Sequence, residues 1–231
     1  MIRTGYATRE GTAADNADAC KVYVLSDGTV GAAVIDGIGH GPHTSATAPL
    51  LAETAARVTA HRGALAGILS AGLLIADEGP DGEEANAVGV AVLIDDAGTR
   101  AAWVGDCDAL GWDGVRLRRY STPQVMGEWV RQYGPPVEIA AHYDDWVRVS
   151  LHSATVATVG EVDIPDPVVI LLSDGVHDQV AISVMEDLAR EHHRDPQALA
   201  TALVAAAQAD ESGYRDDATA IVIALEPQPT T

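Results

Sequence analysis

Short apolar runs bounded by turn residues recur along this chain at a length that suits strands. "ACKVYVL" (19–25), "TVGAAVI" (29–35), "AVGVAVLI" (87–94), "TRAAWVG" (99–105), "VRLRRY" (115–120), "VVILLS" (168–173) and "ATAIVIAL" (218–225) are short, rich in β-branched residues and bounded by turn residues. Three connections are tight enough for hairpins: Ser26 to Gly28, Asp95 to Gly98, and the pair Asp113 and Gly114. Two longer helical regions stand between the strand groups. Residues 44–77 are rich in Ala and Leu, with Pro49 early and a break near Gly63; residues 195–208 begin Asp-Pro and continue "QALATALVAAAQ". Residues 183–192 read as a further helix. Consecutive hairpins argue against a parallel doubly wound sheet. They predict an α+β fold, a four-layer α/β/β/α sandwich of two antiparallel sheets flanked by helices, formed by one domain over residues 1–225. Residues 121–163 hold "GPP" and have no clear period, and read as a mixed insertion over one face that helps to choose the substrate. The final "EPQPTT" (226–231) reads as a disordered end.

Composition narrows the partners. Of 231 residues 47% are apolar, but only 4% are aromatic and Phe is absent, so the core must be Ala, Val, Ile and Leu. A net charge of −20 excludes nucleic acid and disfavours an anionic membrane surface, since both are held by Lys and Arg. It favours cations. The single lysine, Lys21, lies in a strand, and no GxxxxGK[ST] occurs, so P-loop chemistry is excluded. Cys20 and Cys107 are isolated, which excludes a disulfide framework and a cysteine zinc site and suits a reducing cytoplasm. "MIRTGYATREG" has no apolar signal core and no stretch approaches a membrane span. The expectation is a soluble, cytoplasmic monomer.

The acids carry the candidate chemistry. In the first hairpin, centred on Asp27, Asp18 lies nine residues before the centre and Asp36 nine after. A symmetric register brings both carboxylates to the open end, about 5 Å apart as cross-strand neighbours. Like charges that close persist when a cation sits between them. "VVILLSD" ends its strand at Asp174, "RDDATAIVIAL" starts just after Asp216 and Asp217, and "AAWVGD" finishes on Asp106. Antiparallel pairing puts Asp174 and Asp216 at one edge. Hard oxygen ligands on rigid strand ends suit Mg²⁺ or Mn²⁺. Glycine at 37 and 175 lets the backbone approach an ion closely. Any single Asp-Gly is more often a turn, as at Asp95, Asp96 and Asp113; the joint pattern carries the reading.

With these motifs in place, the chain resembles the bacterial metal-dependent Ser/Thr protein phosphatases of the protein phosphatase 2C (PPM) family. "DNADA" (15–19) resembles the family's opening Asn-Glu-Asp motif, and "VIDGIGHG" its Asp-Gly-Met-Gly-Gly segment. "VGDCDALGW" resembles its Gly-Asp-Ser-Arg hairpin, "LLSDGVHD" its Ser-Asp-Gly motif and "RDDATAIVI" its closing Asp-Asn-x-Thr motif. "DGIGHGP" is also similar to sporulation and stress phosphatases that act on regulators of sigma factors. The resemblance implies two divalent cations, Mn²⁺ or Mg²⁺. Asp36 bridges both, Asp174 and Asp216 complete the first site, and Asp18 with the Gly37 carbonyl serves the second. Asp106 with Asp174 holds a weaker third. It implies hydrolysis of phosphoserine or phosphothreonine in proteins by a metal-bridged hydroxide, without a phosphoenzyme.

Three positions depart from the family. Ala17 replaces an acid or amide, the phosphate-binding arginine falls at Ala13 with Arg9 the nearest substitute, and Asp217 stands where Asn is usual. His40 is the leading general acid for the departing alkoxide, with a structural role, or a bond to a backbone carbonyl, as its alternative; His43 and His177 are lesser candidates, each read also as a surface loop residue. Ala13 and Ala17 motivate the competing expectation of an inactive, phosphatase-like regulatory module in sigma-factor or stress signalling. A nuclease is disfavoured by the acidic charge. A haloacid-dehalogenase-like enzyme is disfavoured because "DCDAL" lies in a hairpin rather than at the end of a parallel strand.

Overall fold

The computed structural model describes residues 2–75, 85–134, 137–144 and 146–225. In chain order the elements are β1 (Ile2–Arg9), β2 (Ala19–Val24), β3 (Val30–Ile38), α1 (Pro42–Arg62), α2 (Ala64–Gly72), β4 (Asn86–Asp95), β5 (Gly98–Val104), β6 (Asp108–Trp112) and β7 (Leu117–Arg119). There follow α3 (Met126–Tyr133), β8 (Gly160–Asp163), β9 (Val168–Leu172), α4 (Asp174–His177), α5 (Ile182–His192), α6 (Pro196–Ala206) and β10 (Ala218–Leu225). The strands form two five-stranded sheets, β1-β10-β9-β6-β7 and β2-β3-β4-β5-β8, with every neighbour antiparallel.

The apolar runs are continuous rather than alternating because both faces of each sheet are covered. In β3, Val30, Ala32 and Val34 face the other sheet, against Val169, Leu171, Ile221 and Ile223. Ala33 and Ile35 face outward, against Leu51, Ala52, Ala55 and Ile68 of α1 and α2. On the other side, Ile170, Leu172 and Val222 meet Met185, Leu199 and Leu203 of α5 and α6. Small residues compensate for the missing Phe by letting layers approach. A Cβ at Gly31 would lie 2.2 Å from the Ala56 carbonyl oxygen. Each fully buried large aliphatic contributes about 1.5–3 kcal/mol, which gives the sandwich stability to hold unfavourable charge at one end.

The four-layer architecture and the three hairpins agree with the sequence expectation. The long helical region divides at Gly63, whose φ of +100° is open to glycine, into α1 and α2. Pro42 occupies the first turn and Pro49 lies inside α1. Residues 76 and 77, the expected end of that region, and 226–231 lie outside the described residues. β1 and β8 are edge strands that carry polar residues, and β6 begins on an acid and contains a glycine, so none has an unbroken apolar run. Residues 121–163 hold α3 and two short 3₁₀ turns, but end in β8, and Leu151 is buried against Ile75 in the α2 layer.

Candidate metal centre

The Ser26–Gly28 turn determines the first pair of acids. β2 and β3 pair from Val24↔Val30 to Ala19↔Ile35, so the next position sets Asp18 opposite Asp36. The Gly37 amide donates to the Ala17 carbonyl at 3.2 Å, closing that end of the hairpin. A Cβ at Gly37 would meet Thr44 Cγ2 at 2.3 Å and the Ala17 oxygen at 2.9 Å, so only glycine lets α1 start this close. In the other sheet, β9 and β10 pair through Leu172↔Ala220. Asp174, the first residue of α4, and Asp216, just before β10, therefore leave at the same end. Gly175 makes the approach possible, since a Cβ there would sit 1.9 Å from the Asp217 carbonyl oxygen. Asp106 arrives in the turn from β5 to β6, where Gly105 has a φ of +79°.

These strand ends form one cavity of about 400 Å³. Asp36, Gly37, His40, Asp106, Asp174 and Asp216 line it, with Asp144, Val147, Asp178, Gln179 and Tyr214 among its other walls. Asp18 is not among the lining residues; it is buried and accepts a 2.7 Å hydrogen bond from the Ser173 hydroxyl. Among the described residues no Lys or Arg forms an ion pair with Asp18, Asp36, Asp106, Asp174 or Asp216. The electrostatic strain is large. Burial, then the charges of Asp174 and Asp18, hold Asp36 well above the carboxylate range. Burial raises Asp174; a side-chain hydrogen bond with Asp36 offsets part of this, and the charge of Asp216 adds to the rise. Asp18 is pushed up to about 8, mainly by burial. Asp106 is pushed up to about 7 by burial and then by Asp174.

This donor set fits a hard divalent cation. Asp36 Oδ2 is buried and has no hydrogen-bond partner, and a buried anionic oxygen is costly unless paired. Cations among these carboxylates would remove both the missing partner and the mutual repulsion. Among the described residues no three His, Cys, Asp or Glu side chains form a ready-made coordination group.

Asp217 has a structural role. It is buried, and its two oxygens accept from the Gly11 amide at 2.6 Å and the Ala17 amide at 2.7 Å. It thereby fastens residues 10–17, the segment that delivers Asp18. Ala17 serves through its backbone, donating to Asp217 and accepting from Gly37.

Arg9 is a correction. The phosphate-contact expectation needs it in the cavity, but it is not among the lining residues. It is the last residue of β1, on the strand face that carries Gly5 and Ala7 against α6, and its Nη2 donates to the Ala207 carbonyl. Side chains alternate along a strand, so the facing of Gly5 and Ala7 settles that of Arg9.

His40 is exposed on the cavity lining, with Nε2 3.3 Å from the Tyr214 hydroxyl. Burial, then the neighbouring Asp216, pushes the Tyr214 phenol up to about 12. His43 is exposed in the first turn of α1 and does not line the cavity. His177 is 5% exposed, and both its nitrogens have acceptors, at the Asp106 carbonyl and Asp178. Sequence reasoning missed Tyr214, Asp178, Gln179 and Asp144. Asp178 stands inside the quoted "LLSDGVHD" and Tyr214 two residues before Asp216, so proximity to a motif acid was the available signal for both.

Neither a family model nor a curated protein sequence matches this chain. Solved structures do. A serine/threonine phosphatase from S. agalactiae superposes with a TM-score of 0.81 at 15% identity, covering 98% of this chain and 100% of that chain. The PPM Ser-Thr phosphatase MsPP from Mycobacterium smegmatis, solved with cacodylate, gives 0.73 at 22% identity over 97% of this chain and 98% of that one. The catalytic domain of the serine threonine protein phosphatase PstP, solved with two manganese ions, gives 0.71 at 19% identity over 97% and 99%. The chain has the fold of the bacterial PPM phosphatases over nearly its whole length, as the motif resemblance implies.

Proposed function

We propose that this protein hydrolyses phosphoserine and phosphothreonine esters in proteins with two divalent cations, Mn²⁺ or Mg²⁺, held by its clustered aspartates. The observation that carries the reading is the buried Asp36 Oδ2, which has no hydrogen-bond partner and lies among Asp18, Asp106, Asp174 and Asp216, acids with which no Lys or Arg among the described residues forms an ion pair. The solved neighbours support it, one holding two manganese ions and one cacodylate, an oxyanion of phosphate-like shape. In this reading Asp36, Asp174 and Asp216 would hold one cation and Asp36, Asp18 and the Gly37 carbonyl the other, while Asp106 and Asp174 would hold a weaker third. Bound cations supply an activated water and neutralise charge on the phosphoryl oxygens, which supports hydrolysis without a nucleophilic side chain.

The chain's own residues do the rest. Asp217 holds the segment that presents Asp18, and the 105–107 turn presents Asp106. His40, on the cavity lining, donates a proton to the departing serine or threonine oxygen, with Tyr214 orienting its ring. Asp144 and Val147, from the 121–163 segment, form the wall that meets the polypeptide around the phosphorylated residue. Among the described residues no helix is long and apolar enough to cross a membrane. Its two free cysteines suit a reducing compartment, and we place the enzyme in the cytoplasm, as a monomer acting in signal transduction. The inactive-module alternative is not favoured, because the cavity keeps its acids and Ala17 works through its backbone.

The test is Mn²⁺-dependent hydrolysis of para-nitrophenyl phosphate and of a phosphoserine peptide, with Asp36→Asn and EDTA as controls. Turnover that needs Mn²⁺ and drops at least about 100-fold in the variant, the scale of losing direct transition-state charge stabilisation, supports the reading. No turnover in the wild type, or near-normal turnover in the variant, overturns it.

A further inference from the structure

We propose that His177 is a positioning residue whose hydrogen bond to the Asp106 backbone carbonyl pins the 105–107 turn, so that the Asp106 carboxylate stays within reach of Asp174 and the two can share a divalent cation. The inference rests on the metal reading above and goes beyond it by assigning the residue that holds the weakest cation position together.

His177 ends the single turn of α4 that Asp174 begins, so one rigid element carries both residues. Its Nε2 lies 3.0 Å from the Asp106 carbonyl oxygen, and its Nδ1 lies 2.9 Å from Asp178 Oδ1. Both partners are acceptors, so both ring nitrogens carry hydrogens and neither is left for a substrate. With its side chain 5% exposed, the ring is a tether and not a general acid. Burial alone would lower His177, but the Asp178 hydrogen bond and the charge of Asp108 outweigh it, and the group is pushed up to about 9. Asp108 is itself anchored from behind, fully buried, accepting from the Ser121 hydroxyl at 3.0 Å and lying 2.7 Å from Arg119 Nη2.

The turn needs this restraint. It crosses from β5 in one sheet to β6 in the other, and it carries an acid that faces a second acid. Like charges drive the turn away from α4. Gln124 holds the far side of the turn, accepting from the Gly105 amide at 3.1 Å through its side chain and donating to the Gly105 carbonyl at 2.8 Å through its own amide. His177 ties the turn to the element that carries Asp174. Without it, cation affinity must supply the work of bringing Asp106 and Asp174 together.

The experiment is calorimetry and Mn²⁺ electron paramagnetic resonance on substrate-free wild type, His177→Leu and His177→Gln, with urea midpoints for each. Glutamine places its amide nitrogen near the position of the imidazole Nε2 and keeps the donor to Asp106. Removing an outer-shell partner typically costs 10–100-fold in metal affinity. The Leu variant should therefore bind its weakest Mn²⁺ at least about tenfold less tightly, with the tighter ions unchanged, and Gln should restore most of the loss. Should Leu fail to fold, His177→Asn replaces it, since the shorter amide keeps Asp178 and cannot reach the Asp106 carbonyl. Wild-type affinity in the Leu or Asn variant, or equal loss in Gln, overturns the assignment. Wild type that binds Mn²⁺ but does not hydrolyse phosphate esters sinks the proposed function alone; wild type that binds no Mn²⁺ sinks both.

Discussion

Replacing Asp106 by Asn should stabilise the metal-free protein, and by an amount that depends on pH. The Asp106 carboxyl is raised from the ordinary 3.8 to about 7, first by burial and then by Asp174. Each tenfold change in proton affinity is worth about 1.4 kcal/mol, so the ionised carboxylate costs the folded state about 4 kcal/mol. Well below pH 3.8 the group is protonated both folded and unfolded, and the cost vanishes. As pH rises from 4 to 7 the unfolded chain loses the proton while the folded chain keeps it, and stability falls. Above pH 8 the cost is complete. In EDTA, urea denaturation should therefore show Asp106→Asn more stable than wild type by about 4 kcal/mol near pH 8.5, by roughly 1–2 kcal/mol near pH 5, and by almost nothing near pH 3.5. Saturating Mn²⁺ should shrink or reverse the advantage, because the cation stabilises the wild type through the carboxylate that the variant lacks. A difference that is the same at pH 5 and 8.5, or a variant less stable than wild type at pH 8.5 without metal, would refute the claim that burial and Asp174 hold the Asp106 carboxyl up in the metal-free fold.

His40→Ala should separate two substrates by their leaving groups. A phosphoserine peptide, whose alkoxide needs a proton, should lose about 100-fold or more in kcat, while para-nitrophenyl phosphate changes little; equal losses would remove His40 as the acid. Asp217→Ala leaves the Gly11 and Ala17 amides without their acceptor. It should cost about 3–6 kcal/mol in urea denaturation, since each of the two hydrogen bonds to a charged group contributes about 1.5–3 kcal/mol, and a change within error would show that the N-terminal segment is held otherwise. Gly175→Ala forces a Cβ to within 1.9 Å of backbone at Asp217; thermal denaturation and the Mn²⁺-dependent rate should both fall, and an unaffected variant would contradict the close contact between α4 and the approach to β10.

The parts of this site that were legible in the sequence are those set by hairpin arithmetic. A turn centred on Asp27 leaves one symmetric register, and that register puts Asp18 opposite Asp36. Asp174 and Asp216 were legible for the same reason, because an antiparallel neighbour must begin where its partner ends. Arg9 was not, because its direction depends on which face of β1 meets α6, and polar residues on an edge strand do not encode that. Asp217 was ambiguous because its neighbours, Gly11 and Ala17, lie some 200 residues away and their amides leave no trace in side-chain pattern. Asp144 lies in a segment without periodicity, so its arrival at the cavity follows from tertiary packing alone. From sequence His177 is a lesser candidate proton donor; its burial and its two acceptors, which leave neither ring nitrogen for a substrate, appear only when α4 is packed against the 105–107 turn.

Crystals grown in Mn²⁺ and measured at the manganese absorption edge test the central idea most directly. Two anomalous peaks about 3.5–4 Å apart, flanking Asp36 with Asp174 and Asp216 at one and Asp18 at the other, are the expected result. A map with no peak at Asp36, or with manganese bound only at acids elsewhere on the surface, would contradict it.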